Sequence, residues 1–356
     1  MQMSEANLPR RQLAKNLLGL AATGTLFSLA APTAMAAAPL PMIKPRPLQP
    51  GDTVGLVSPS AATADAMDFQ LVQQAMQALG FKVKNGNFIA NRRGHLAGTD
   101  AERAADLNAM FADPEVKAVI CLRGGSGAAR ILPLLDYALI AANPKPLLGY
   151  SDITALHCAL QAKTGLISFH GPNGTDGWPA FNVQQFQQLF FAKALPLYKN
   201  EAEINDELVP RNSQTLTIRS GIAEGRLVGG NLTVLTALSG TPYFPDCRDK
   251  ILFIEDIAEA PYRIDRMLST LALNGTLKQI KGLVFGECTD CEPEHGYGNL
   301  TLDQILQDYV LPLQIPAYRG AMIGHLKRQF ILPVGAKVRL DATAGTLQLL
   351  EPVFAG

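Results

Sequence analysis

The chain has no surplus of either charge: 31 Lys and Arg stand against 31 Asp and Glu, a formal net charge of +0. It therefore lacks the basic footprint that grips a phosphate backbone, and no nucleic-acid partner is expected. Long uncharged runs are also missing. Beyond the N-terminal leader, no segment reaches the roughly 20 residues of a membrane-crossing helix, so no stable membrane insertion is expected. Cysteine is scarce, with five residues. Cys288-Thr-Asp-Cys291 could be a small disulfide, a redox pair or half of a zinc site. A four-ligand zinc site needs a second pair, none is spaced for it, and no metal is expected. Cys121 and Cys158 lie in apolar runs and read as inert core thiols. Phosphate-binding signatures fail as well. A dinucleotide fingerprint would need glycine where Arg130 stands, and Gly-Lys-Ser/Thr does not occur.

The N-terminus reads as an address. Arg10-Arg11 precede the uncharged stretch from Leu17 to Ala31, and Ala34-Met35-Ala36 offers small residues for cleavage. Basic start, apolar middle and A-x-A exit are the layout of a secretory signal, and the paired arginines suggest the twin-arginine variant. Residues 1–36 are thus expected to be a signal peptide that sends the protein to the periplasm. The proline-rich stretch 37–50 follows as an extended leader.

From 51 to 195, short β-type runs (TVGLV, FKVKNGNFI, KAVICL, KPLLGY) alternate with helical patterns at 66–79, 99–111 and 128–135. Alternation at this spacing predicts a parallel sheet covered on both faces, a flavodoxin/amidotransferase-like α/β domain. Thr99 and Glu102 have capping-box spacing. Residues 196–212 are polar and read as a linker. From 213 to 356 the chain is β-rich, with TLTIRSG, KILFIED, KGLVFGE and a terminal hairpin, AKVRLDATAGTLQLLE. Helices at 262–273 and 302–310 make this an α+β domain.

In α/β sheets, ligands collect beyond the carboxyl ends of the strands. Two successive strands end there in unusual turns, Arg123-Gly124-Gly125-Ser126-Gly127 and Gly149-Tyr150-Ser151-Asp152. A serine where strand turns into helix is either an ordinary N-cap or a nucleophile on a tight elbow. A glycine loop beside it supplies what acyl transfer needs, backbone N–H groups aimed at a developing oxyanion. The N–H groups of Gly125 and Asp152 are the expected donors. The elbow lacks the closing glycine of G-x-S-x-G, since Ile153 stands there. A serine nucleophile also needs a base and an orienting acid. Among five histidines, residue chemistry leaves His170 and His325 both open. Glu255 and Asp256 end the strand ILFIED, as an orienting acid or as a cap for the next helix.

Several ordered segments resemble the LD-carboxypeptidase family of serine peptidases: RGGSGAARILPLLDY, LLGYSDITALH, FHGPNG, GRLVGGNLTVLTALSGTPYFPD, ILFIEDIAEAPYRIDRML, GLVFGECTDC and GHLKRQFILPVGAKVRLD. The resemblance implies a Ser-Glu-His triad at Ser151, Glu255 and His325, which decides the choice of histidine. It implies an α/β N-terminal domain, a β-rich C-terminal domain, a homodimer and no cofactor. The implied reaction releases terminal D-alanine from a murein tetrapeptide by hydrolysis of an L,D amide bond. A carboxypeptidase must also hold a free carboxylate, for which Arg123 beside Gly124, Arg226 and Arg263 are candidates. The family's glycine loop often carries an aromatic where Ser126 stands here, which bears on specificity. Two other readings compete. Microcin C immunity peptidases, relatives of the family, act on aminoacyl-nucleotide analogues and predict aromatics for purine stacking, yet Trp178 is the one tryptophan. An exported, non-catalytic binding protein would give no reason for the three triad residues together.

Overall fold

Alternating apolar strands and amphipathic helices build the first half of the chain. The computed structural model describes residues 40–63, 65–202, 208–209, 214–291 and 299–356. The expected signal peptide lies outside them. In chain order the strands are β1 (Thr53–Val57), β2 (Lys82–Asn85), β3 (Val116–Cys121), β4 (Leu147–Gly149), β5 (Ser168–His170), β6 (Leu197–Lys199) and β7 (Leu216–Arg219). They continue as β8 (Ile222–Asn231), β9 (Ile251–Ile257), β10 (Gly282–Thr289), β11 (Ala317–Arg319), β12 (Leu332–Val334), β13 (Lys337–Asp341) and β14 (Thr346–Leu349).

Among the described residues these strands form a six-stranded sheet, β12-β5-β4-β3-β1-β2, and an eight-stranded sheet, β6-β14-β13-β8-β9-β10-β11-β7. The first is parallel from β2 to β5 and gains β12 antiparallel at one edge. The second has a parallel centre, β8 to β11, flanked by antiparallel strands. The fold is therefore mixed α/β, with a parallel N-terminal sheet and a β-rich C-terminal region. Strand β12 belongs to the C-terminal half by sequence, yet Leu332, Pro333 and Val334 pair with His170, Phe169 and Ser168. One apolar cluster runs from Phe169 and Phe190 to Tyr318 and Val338. Residues 39–356 accordingly form a single compact unit.

Local chemistry sets the helix starts. The Asp65 carboxylate accepts the Asp68 N–H at 3.0 Å to cap the helix Ala66–Ala78. Thr99 and Glu102 complete a reciprocal capping box on the helix Asp100–Ala112.

Four details depart from the sequence reading. The run FKVKNGNFI stays a strand only to Asn85. Phe88 N–H turns to the Asp106 carboxylate at 3.0 Å, and a side chain at Gly86 would collide with that carboxylate. Strand β8, IAEGRLVGGN, goes unrecognised in the sequence because its glycines disguise the alternation. Gly229 (φ +136) has to be glycine, since a Cβ there would sit 1.7 Å from the Phe253 carbonyl oxygen. The stretch 196–212 begins as a strand, with β6 pairing β14; residues 203–207 and 210–213 lie outside the described residues. The proline-rich leader packs onto the fold: Ile43 exchanges backbone hydrogen bonds with Gly165 and Ile167 at 2.8 and 2.9 Å, and Leu48 is buried.

Candidate active site

Strand β4 delivers the serine. Tyr150 is extended, and Ser151 takes φ +64 as the first residue of a short 3-10 turn, Ser151–Ile153, that leads into the helix Thr154–Lys163. A left-handed serine is held at a cost of about 1–2 kcal/mol, so its surroundings must enforce it. Gly149 is walled in: a Cβ there would lie 2.9 Å from Asn173 Oδ1 and 3.1 Å from the Cys121 side chain. Beneath the turn, His157 Nε2 donates to the Gly149 carbonyl and its Nδ1 accepts from the Ser168 hydroxyl, both at 2.8 Å. These partners assign the tautomer, and burial pushes the His157 pKa down to about 4, so the ring is a neutral strut.

The glycine loop lies directly against the serine. A Cβ on Gly124 would be 2.8 Å from Ser151 Cβ and 3.2 Å from the Asp152 backbone nitrogen. Gly125 (φ +113) presses on Ala61, and its N–H has no hydrogen-bond partner among the described residues. The Asp152 side chain faces away from the elbow's mouth. Its Oδ2 accepts the Ser60 hydroxyl at 2.5 Å and the Ala128 N–H at 2.7 Å, fixing the far end of the loop. Burial raises the Asp152 pKa against those two bonds. Ser126 is exposed at the loop tip.

Glu255 comes from the other sheet, and His325 from the connection between β11 and β12. Glu255 stands near the end of β9 and is 0% exposed, while His325 follows the glycine-bearing turn after β11. His325 Nδ1 donates to Glu255 Oε2 at 2.8 Å, and Nε2 accepts from Ser151 Oγ at 3.0 Å. Gly324 (φ +109) makes this approach possible, since a Cβ there would sit 2.4 Å from Glu255 Oε2. Burial pulls the His325 pKa down. The hydrogen bond and charge of Glu255, with the charges of Asp256 and Asp176, outweigh it and leave the pKa raised. The Tyr150 ring packs 4.8 Å from the imidazole.

The remaining sequence candidates separate by geometry. Asp256, next to Glu255, takes bonds from Asn231, Ile257 and Thr233, each at 2.9 Å, and burial lifts its pKa to about 6. Asn231 N–H in turn donates to Thr154 Oγ1 at 2.9 Å, so this network ties β8 and β9 to the helix behind Ser151. Asp256 is structural; Glu255 faces the histidine. His170 is fully buried between Tyr150 and Phe253, with burial holding it neutral, and it does not reach the serine. His295 lies outside the described residues. Arg123 stays beside the glycine loop, donating to the Ala62 carbonyl at 3.2 Å. Arg226 is paired with Glu351 at 2.6 Å and with the Gly335 carbonyl at 2.9 Å, and it precedes the end of β8 at Asn231 by a further stretch of strand, about 16 Å at ~3.3 Å per residue. Arg263 is likewise held elsewhere, by Glu259 at 3.5 Å and the Tyr262 hydroxyl at 3.1 Å on an exposed helix turn.

Two residues near the triad escape the sequence reading. Asp176, in the loop after β5, accepts the Asn173 N–H at 2.9 Å; burial raises its pKa, and the nearby charges of His325 and Arg123 oppose the rise. Thr289 touches the His325 backbone. Both stand in polar stretches that look like ordinary turns, so only a loop's position at a strand's carboxyl end hints at them. The CTDC pair is a disulfide, Cys288–Cys291, and Cys121, Cys158 and Cys247 are buried free thiols.

Comparison with known proteins bears on this geometry. Residues 54–171 match the LD-carboxypeptidase N-terminal domain and residues 224–340 the LD-carboxypeptidase C-terminal domain. A probable murein peptide carboxypeptidase of Bacillus subtilis is 42% identical over 88% of this chain and 96% of its own. The microcin C7 self-immunity protein MccF of Escherichia coli is 30% identical over 86% of this chain and 95% of its own. The structure of wild-type apo MccF aligns with a TM-score of 0.78 at 29% identity, covering 88% of this chain and 100% of that one. The muramoyltetrapeptide carboxypeptidase of Oxalobacter formigenes aligns with a TM-score of 0.72 at 33% identity, covering 83% and 97%.

Proposed function

The chain belongs to the LD-carboxypeptidase family and is a serine carboxypeptidase, and from that premise we propose that it cuts the L,D amide bond releasing terminal D-alanine from murein tetrapeptides. The observation that carries the reading is the unbroken hydrogen-bond path Ser151–His325–Glu255 at a strained serine beside Gly124.

In this mechanism His325 Nε2 takes the Ser151 proton as Oγ attacks the carbonyl of the dibasic residue. Buried Glu255 holds the ring in the required tautomer and stabilises the imidazolium. The N–H groups of Gly125 and Asp152 receive the oxyanion. The His325 proton passes to the departing D-alanine nitrogen, leaving an acyl-enzyme on Ser151. Water, deprotonated by the same imidazole, then frees the tripeptide. Arg123, still at the loop after the other arginines are assigned elsewhere, is the group we put on the terminal carboxylate.

The test is mass spectrometry of a defined disaccharide tetrapeptide after incubation with the enzyme. Loss of one alanine is expected; an unchanged peptide refutes the substrate assignment. The likeness to MccF motivates a second reading, hydrolysis of aminoacyl-nucleotide analogues. Trp178 is packed edge-on against Phe186 at 5.8 Å, with its ring engaged by the core, which favours the murein peptide. Turnover of an aminoacyl sulfamoyl adenosine in preference to the tetrapeptide would reverse that order. We also propose export to the periplasm on the strength of residues 1–36, and a homodimer from the family resemblance.

A further inference from the structure

We propose that Thr289, held in place by the Cys288–Cys291 disulfide, is a positioning residue for His325; the inference rests on the catalytic reading of His325 given above. Thr289 is the last residue of β10 and bonds in two directions. Its hydroxyl donates to the His325 carbonyl at 3.1 Å, and its own carbonyl accepts the Ala258 N–H at 2.8 Å. Ala258 stands just past β9, the strand carrying Glu255. One residue therefore fastens the backbone of the base to the backbone of its orienting acid.

The neighbouring register serves the same end. Cys288 pairs with Asp256 and Thr289 with Ile257, after a shift in register between Phe285 and Cys288. Within that irregular stretch the Glu287 N–H bonds the Ile323 carbonyl at 3.0 Å, two residues before His325. A Cβ on Gly286 would lie 2.6 Å from the same carbonyl and 3.2 Å from Glu255 Cβ, so β10 runs in close contact with both partners. Beyond Thr289 the chain leaves through Asp290 at φ +54, in the left-handed region that is uncommon outside glycine and that aspartate tolerates better than most residues. The disulfide spans that residue, its Cα atoms 5.5 Å apart, and confines the turn that aims the Thr289 hydroxyl. Cys121, Cys158 and Cys247 are buried elsewhere, so the bridge can be removed without touching them.

The experiment compares Thr289→Val, Thr289→Ser and the double variant Cys288→Ser/Cys291→Ser with the parent. The primary readout is the rate of Ser151 acylation by a fluorophosphonate, which does not depend on the natural substrate; kcat and KM on the tetrapeptide accompany it. Thr289→Val is expected to slow acylation and kcat about three- to tenfold, the range of one neutral hydrogen bond, with KM within about twofold. Thr289→Ser, which keeps the hydroxyl, should restore the parent rate to within about twofold. The cysteine variant keeps Thr289 but frees its turn, and should also slow acylation. Parent-like acylation of Thr289→Val, or a Thr289→Ser as slow as the valine variant, overturns the role of Thr289. A cysteine variant at the parent rate overturns the role of the disulfide. A parent enzyme that the probe does not label at all sinks the catalytic reading instead, a distinguishable failure.

Discussion

Replacing Glu255 with glutamine is the perturbation that isolates electrostatics from shape. Glutamine has nearly the same volume, which matters at a position that is 0% exposed, and its amide oxygen can still accept the His325 Nδ1–H found at 2.8 Å. What disappears is the negative charge. A hydrogen bond to a charged group contributes about 1.5–3 kcal/mol against about 0.5–1.5 for a neutral one. The imidazolium of the transition state loses that difference and the Coulomb attraction together. A fall in kcat/KM of about 10²–10⁴ is expected, as for orienting acids in serine triads generally. The sign of the pH effect follows from the causes acting on His325. Burial lowers its pKa, and Glu255 is the main influence raising it above the ordinary value. With the charge gone, burial dominates and the pKa falls. The base must be neutral to act, so the acidic limb of kcat/KM moves to lower pH in the variant while the plateau drops. The assay is a pH profile of kcat/KM for parent and Glu255→Gln, checked by the rate of fluorophosphonate acylation. An acidic limb that stays put or moves upward would refute the assignment of that limb to a Glu255-supported imidazole.

Four other outcomes are expected. Ser151→Ala should fold normally and lose three or more orders of magnitude in rate. Ser151→Gly should be equally inactive yet more stable than the alanine variant by about 0.5–1 kcal/mol in denaturant melts, because glycine accepts φ +64 without strain; equal melts would mean the elbow is unstrained. Gly324→Ala should cost about 10²-fold in kcat, since the new methyl group would have to displace Glu255 Oε2 from 2.4 Å, and a parent-like rate would contradict the tight packing. Substituting both Arg10 and Arg11 with lysine should leave the protein in the cytoplasmic fraction on cell fractionation; continued export would exclude the twin-arginine route.

Much of the architecture can be read from the residues, and the limits have physical causes. Alternating apolar runs and helix caps such as Thr99 with Glu102 foretell the parallel sheet, because local hydrogen bonding and burial pattern agree there. Strand β8 hides behind glycines whose need comes from residues distant in sequence, Phe253 against Gly229 and Thr154 against Gly230, a tertiary demand with no local trace. A serine at a strand-to-helix turn marks a possible nucleophile. The histidine, 174 residues away, is not chosen by residue chemistry, since His170 and His325 each adjoin a glycine at the end of an apolar run. Family resemblance picks His325, and the coordinates bring that residue into hydrogen-bonding distance of Ser151. Arg226 looks available in the sequence because its partners, Glu351 and Gly335, lie more than a hundred residues further on. Asp176 and Thr289 offer no signal beyond polar composition, because their partners are assembled by the fold.

The most direct measurement is intact-protein and peptide mass spectrometry of the enzyme treated with a fluorophosphonate. The account predicts a single adduct on Ser151 that forms in the parent and is lost in His325→Ala. A nucleophile elsewhere, or labelling of Ser151 that proceeds undiminished without the imidazole, would contradict it.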